Sequence, residues 1–151
     1  MKVVARNKKA AHNYEILDRY ETGIELQGSE VKSIRAGKIN LSDSYAYCAE
    51  GQVFLQHLHI SPYERAAQFA PDPYRKRKLL LHRREIGYLC KEVERKRLTL
   101  VPLSIYFKKQ WVKVEIGLCR GRKKYDKRRK IAEEESKKRV SALMKQAAKG
   151  R

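Results

Sequence analysis

The chain has 151 residues, enough for one domain and a tail, and its 36 Lys and Arg against 17 Asp and Glu give a net charge of +19. No apolar run approaches the ~20 residues that cross a bilayer, and the basic start lacks the apolar stretch of ~7–15 residues of a secretory signal. Cys48, Cys90 and Cys119 are odd in number, widely spaced and without a CxxC pair, which argues against a disulfide framework and a zinc site.

Reduced cysteines, buried as small hydrophobes in a cytoplasmic protein, are the expectation. The charge is unevenly spread. Residues 1–119 hold 22 basic and 13 acidic side chains, and residues 120–151 hold 14 and 4. Such a polycation most often meets a polyanion, nucleic acid being the commonest.

Residues 1–13, with Arg6, Lys8, Lys9 and His12, read as a basic, weakly structured arm. Alternating apolar and charged residues predict strands at 14–20 and 23–27, joined by a turn at Glu21-Thr22-Gly23. A short helix follows, starting at Ser29 and stopping at Gly37. Val31 and Ile34 lie on its inner side, Lys32 and Arg35 on its outer face, and Lys38 comes next. Glu50-Gly51 turns a hairpin with strands near 44–49 and 52–60.

Pro62, Pro71 and Pro73 mark 61–75 as a loop. Ile86, Leu89, Cys90 and Val93 then form the apolar stripe of a helix from His82 to Lys96, in which Gly87 costs about 1 kcal/mol relative to Ala. Leu103, Ile105 and Phe107 alternate on one strand and Val112, Val114, Ile116 and Leu118 on the next, with Lys108-Lys109-Gln110 as the turn. Six short strands with two inserted helices predict a mainly β fold, a small antiparallel OB-like barrel over 1–120. A split α+β sheet is the alternative.

Residues 121–151 form a basic tail with too little apolar surface to fold alone. Its Glu133–Lys137, Glu134–Lys138 and Glu135–Arg139 spacings favour a helix once a surface is supplied. Val140, Leu143, Met144, Ala147 and Ala148 continue one apolar stripe along it.

Signs of catalysis are weak. No phosphate-binding glycine loop is present. His57 and His59 lie two apart on a predicted strand and so share a face, but no Cys or carboxylate cluster accompanies them, and no metal site is expected. Glu92 and Glu94 face different sides of a helix, and the scattered carboxylates do not announce a two-metal nuclease. Signs of nucleic-acid binding are stronger. Three basic clusters (Arg6/Lys8/Lys9, Lys32/Arg35/Lys38 and 75–78) occur in a chain that also carries Tyr14, Tyr20, Tyr45, Tyr63 and Tyr74. Nothing resembles a recognition helix, finger or basic zipper, which favours RNA over duplex DNA.

Particular residues go further. The run Asn7-Lys8-Lys9-Ala10-Ala11-His12-Asn13-Tyr14 followed by Tyr20-Glu21-Thr22-Gly23 resembles the opening of the SmpB family. Leu26-Gln27-Gly28-Ser29-Glu30-Val31-Lys32-Ser33-Ile34-Arg35-Ala36-Gly37-Lys38 and then Asp43-Ser44-Tyr45 resemble its most distinctive stretch. Arg77-Lys78-Leu79-Leu80 and Gly121-Arg122-Lys123-Lys124-Tyr125-Asp126-Lys127-Arg128 complete the likeness, with Arg122 where Lys is more usual. The loop 64–74 is not diagnostic.

The resemblance implies an OB-like RNA-binding protein of ribosome rescue, without enzymatic activity, cofactor or membrane association, acting as a monomer. Its partners would be transfer-messenger RNA, whose tRNA-like domain it binds, and the ribosome. By match to the family's motifs, Asn7, Glu21 and Leu80 belong to the RNA-binding surface, joined by Lys8, His12, Lys32, Arg35, Lys38, Arg77 and Lys78. Gly121, Lys123, Lys124, Tyr125, Asp126, Lys127, Arg128, Leu143 and Met144 would belong to a ribosome-binding tail in the mRNA channel of the small subunit, with Asp126-Lys127-Arg128 near the decoding centre and Leu143-Met144 in its distal helix. A structural ribosomal protein would share the composition, though not the motifs.

Overall fold

The computed structural model describes residues 1–63, 70–122 and 131–140. In chain order it runs β1 (Lys2–Arg6), α1 (Ala10–Asn13), β2 (Tyr14–Ile24), α2 (Gly28–Arg35), β3 (Ile39–Asn40), β4 (Tyr45–Ala49) and β5 (Gln52–Gln56). It continues with β6 (His59–Ile60), β7 (Arg77–Leu80), α3 (Arg83–Lys96), β8 (Thr99–Lys108) and β9 (Trp111–Gly121). Residues 131–140 are also helical. No helix among the described residues is long and apolar enough to cross a membrane.

Alternation builds the barrel wall. Val112, Val114, Ile116 and Leu118 of β9 point inward and are buried, as are Val53 and Leu55 of β5. Strands β8, β4, β5, β7, β2 and β9 bond in that order and β9 returns to β8, so six antiparallel strands close a ring. Closure depends on β8 serving two partners along one edge. Its Leu100 stands opposite Ala46 of β4, while Ser104 to Phe107 pair with β1. An irregularity between Pro102 and Ser104 separates the two halves, a position that suits a proline, which has no N–H to donate.

Leu55, Leu58, Leu79, Leu100, Ile105 and Ile116 fill the interior, with Ile34 of α2 and Leu89 of α3 in the same core cluster. Each such side chain contributes about 1.5–3 kcal/mol relative to exposure. A smaller cluster joins Ala10 of α1 to Val101, Leu103 and Cys119.

Several expectations are corrected. The N-terminal arm is ordered: β1 pairs with β8, and Asn7 N–H donates to the Leu103 carbonyl at 2.8 Å. Glu21-Thr22-Gly23 is not a turn, because β2 runs through it without a break against β9. Thr22 is buried and its hydroxyl donates to the Val114 carbonyl at 3.1 Å. Gly23 lies beneath Leu80, whose Cβ would stand 3.2 Å from an added methyl. Residues 77–80, between the expected loop at 61–75 and the expected helix from His82, form β7 between β5 and β2.

The second hairpin strand ends at Gln56. His57 takes a positive φ of 61° and breaks the run, so His57 and His59 do not share one strand face. The α2 helix begins one residue earlier than expected. Gln27 precedes it, its N–H donating to Glu30 Oε1 at 2.9 Å.

The cysteines depart furthest from expectation. Cys48 of β4 and Cys90 of α3 form a disulfide, their Cα atoms 6.0 Å apart and 42 positions apart in sequence. Only Cys119 is free, wholly buried, its thiol pushed up to about 11 by desolvation. Packing of α3 on the barrel brings the pair together, and spacing along the chain carries no trace of that. Closing a loop of this length should stabilise the fold by about 2–4 kcal/mol. Urea unfolding with and without dithiothreitol tests this, and a midpoint indifferent to reduction would show that the bond adds nothing.

Candidate nucleic-acid interface

On an antiparallel strand every second residue faces outward. Arg19, Glu21 and Gly23 are therefore on the outer face of β2. Directly opposite Glu21 on β9 stands Glu115, a like-charge pair that would be unfavourable alone. Each carboxylate has its own compensation. Arg19 Nη1 donates to Glu115 Oε1 at 2.8 Å, while Glu21 accepts from the Tyr106 hydroxyl and, at 3.3 Å, from Lys108 Nζ. The Tyr106 hydrogen bond leads in holding the Glu21 carboxyl below the usual carboxylate range, with Lys108 and Lys113 assisting. Tyr106 is itself buried, and desolvation together with Glu21 raises its hydroxyl well above the ordinary tyrosine value. An exposed carboxylate is thus fixed in place and kept ionised.

Asn7 meets the same feature from the other side. Its side-chain Nδ2 donates to the Pro102 carbonyl at 3.0 Å, which holds the residue over β8. A groove of ≈ 480 Å³ runs between them, lined by Asn7 and Glu21 together with Arg6, Arg19, Tyr106 and Glu115. Asn7 also borders a neighbouring hollow with Lys9, Asn13 and Tyr45. Leu80 extends the site. Half exposed, it sits on Gly23, two residues beyond Glu21 on the same face. The three positions singled out by motif therefore occupy one continuous outer surface.

The family profile described as SmpB protein matches residues 4–146. The chain belongs to the SmpB family. An SsrA-binding protein of Gloeothece citriformis is 53% identical over 145 residues, covering 95% of this chain and 94% of that protein. One from Desulfitobacterium hafniense is 48% identical over 150 residues, covering 99% and 96% respectively. A solved structure described as "tmRNA-SmpB: a journey to the center of the bacterial ribosome" superposes with a TM-score of 0.68 at 50% identity, over 82% of this chain and 87% of that one.

The remaining family-motif residues scatter over the barrel. Lys32 and Arg35 are exposed on α2, Lys32 lying 5.2 Å from the Tyr63 ring and Arg35 5.4 Å from Phe107. Lys8 and Lys38 are exposed as well. His12 is half-buried, and its Nε2 lies 3.5 Å from Glu134 of the helix at 131–140. Arg77, expected on the RNA-binding surface, is wholly buried and bonded to Glu30, so it is a structural residue. Lys78, next to it on β7, points the other way.

Gly121 is the last residue of β9, paired with Tyr14, and Arg122 N–H still bonds the Asn13 carbonyl at 3.0 Å. Lys123, Lys124, Tyr125, Asp126, Lys127, Arg128, Leu143 and Met144 lie outside the described residues. Sequence reasoning missed Arg19 and Tyr106. Neither belongs to a basic cluster, and the partner of each comes from another strand.

Proposed function

We propose that this chain binds the tRNA-like domain of transfer-messenger RNA and delivers it to stalled ribosomes in trans-translation. The body, 1–120, holds the RNA. The tail, 121–151, probes the empty mRNA channel near the decoding centre, so that the nascent chain is tagged and the ribosome released. The protein is a binding protein rather than an enzyme. The observation that carries this reading is the match to SsrA-binding proteins at about half identity over nearly the whole chain.

The groove supports it chemically. Arg6 and Arg19 can meet phosphates. Between them, the fixed carboxylate of Glu21 accepts from paired N–H donors such as those on the edge of guanine. Asn7 presents its amide oxygen, and Leu80 offers an apolar contact for a ribose or base.

Glu21→Ala should weaken binding of transfer-messenger RNA by roughly 10–100-fold, the cost of a hydrogen bond to a charged group. The melting temperature should stay in place, since Glu21 is exposed. Tyr106→Phe should act in the same direction but less, by freeing the carboxylate. Because the folded carboxyl is depressed, the site keeps its charge as pH falls to the ordinary carboxylate range and loses it only below. Filter binding with the intact RNA checks the affinities and their pH dependence, thermal melting checks the stability, and full affinity in Glu21→Ala would remove Glu21 from the interface.

A further inference from the structure

We infer that the outer face of β4, β5 and β7 is a second RNA surface, one that stacks unpaired bases. This rests on the reading of the chain as an RNA-binding protein, but its rings, Tyr45, Tyr47 and Phe54, are residues that the reading of the groove does not employ. Register sets the face. Ala46 and Cys48 of β4, Val53 and Leu55 of β5, and Arg77 and Leu79 of β7 turn to the barrel side, all buried except Cys48, which is half-buried. Tyr45 and Tyr47 therefore face outward on β4, opposite Gln56 and Phe54, and Phe54 in turn stands opposite Lys78. A solvated antiparallel face ordinarily carries polar residues at such positions. Here the rings are in a chain. Phe54 and Tyr47 have centroids 5.9 Å apart, Tyr47 and Tyr45 6.1 Å, and Tyr45 and His57 5.6 Å.

Tyr45 and His57 are exposed, while Tyr47 and Phe54 are half-buried. Charge selects the occupant. Lys76 Nζ lies 4.4 Å from the Phe54 centroid and Lys78 follows it, while none of the outward positions of these strands carries a carboxylate. Carboxylates border the face only at its ends, Glu50 at the β4–β5 turn and Asp43 beside Tyr45, so the rings and cations at its centre suit bases joined by phosphates. The face is also continuous with the groove described above. Tyr45 lines the hollow that Asn7 borders, and Leu80 follows Lys78 along β7. One strand of RNA could cross from one to the other.

The test uses the full chain and fluorescein-labelled oligouridine, with an RNA duplex of equal charge that offers no unstacked base. Tyr47→Ala with Phe54→Ala should lower oligouridine affinity roughly tenfold or more and leave the duplex nearly unchanged, since stacking is lost but phosphate attraction is kept. Tyr47→Phe with Phe54→Tyr keeps both rings and should restore binding. If the double alanine variant melts early, Tyr45→Ala, the most exposed ring, gives the same comparison with less packing lost. A 2-aminopurine placed in the oligouridine should quench on binding the unaltered protein. Equal losses on both probes, unchanged oligouridine affinity, or binding without quenching would each overturn the proposal. Unchanged affinity would leave the face to a protein partner. Titration with the tRNA-like domain in parallel separates the two readings. Its failure beside ring-dependent oligouridine binding would remove the proposed function alone.

Discussion

Glu30→Ala should destabilise the fold by about 3–5 kcal/mol, the cost of leaving a buried charge without its partner. Glu30 of α2 is 2% exposed and Arg77 of β7 0% exposed. Arg77 Nε donates to Glu30 Oε2 at 2.7 Å, and its other nitrogens reach the Leu58 carbonyl at 2.8 Å and the Pro73 carbonyl at 3.1 Å. Arg75 Nη2 donates to the other carboxylate oxygen at 2.5 Å. Burial alone would push the Glu30 carboxyl up, but the hydrogen bonds from Arg75, the Gln27 N–H and Arg77 outweigh it and hold the group below the carboxylate range. Burial draws Arg77 below the ordinary guanidinium value, with Glu30 opposing the shift, and three acceptors keep it charged.

A depressed folded value has a definite sign. The stabilisation is present above the unfolded carboxyl value of about 4.3 and is lost as pH falls through the lower folded value. Urea unfolding at neutral pH measures the loss. Glu30→Ala combined with Arg77→Met should recover part of it, because the stranded cation is then gone. The variant should bind RNA poorly as well, since α2 carries Lys32 and Arg35 and β7 carries Lys78 and Leu80. A Glu30→Ala protein as stable as the original would show that the cluster is not holding α2 to the barrel.

That cluster also shows why the chain is only partly legible from its sequence. The β8–β9 pair is readable because Leu103, Ile105, Phe107 and then Val112 to Leu118 alternate over many residues, and a two-residue turn needs no distant partner. The α3 stripe is readable for the same local reason. In contrast, β7 is four residues long, and its Arg77-Lys78 looks like a solvated charge run. Burial of Arg77 depends on Glu30, 47 positions away, and on the Leu58 and Pro73 carbonyls.

Glu21-Thr22-Gly23 has turn chemistry, yet Gly23 is small because Leu80 crosses above it, and Thr22 finds its acceptor on β9. The Cys48–Cys90 bond is equally invisible to spacing. At the site, motif likeness located Asn7, Glu21 and Leu80, whereas Tyr106 and Arg19 follow only from cross-strand register. Asn7, assigned to the RNA-binding surface by motif, is half-buried and donates to the Pro102 carbonyl, so its substitution would disturb structure as well as surface.

Cutting the chain after Lys124 should leave folding intact and abolish tagging on stalled ribosomes. Every residue of the helix at 131–140 is exposed except half-buried Glu134, and its apolar Ile131 and Val140 are 43% and 49% exposed. Removing it takes no side chain from either core cluster, so the unfolding midpoint should hardly move. Arg139 lies 3.8 Å from Glu135 along the helix, as the spacing predicts, and Glu134 reaches His12 of the barrel.

A helix whose described side chains join neither core cluster is marginal in water, because tertiary packing supplies most of a helix's stability. Contact with ribosomal RNA would supply phosphate partners for Lys137, Lys138 and Arg139 and offset the ordering cost. The cut also removes 10 Lys and Arg against 4 Asp and Glu. Affinity should therefore be compared at moderate salt, where non-specific phosphate attraction is suppressed. There, binding of isolated transfer-messenger RNA should change little while tagging is lost. Leu143→Asp with Met144→Asp should reproduce the tagging defect in the full-length chain, by making the distal apolar stripe unable to dock. Normal tagging by either protein would mean that the tail is a solvated charge run and that recognition of the empty channel lies elsewhere.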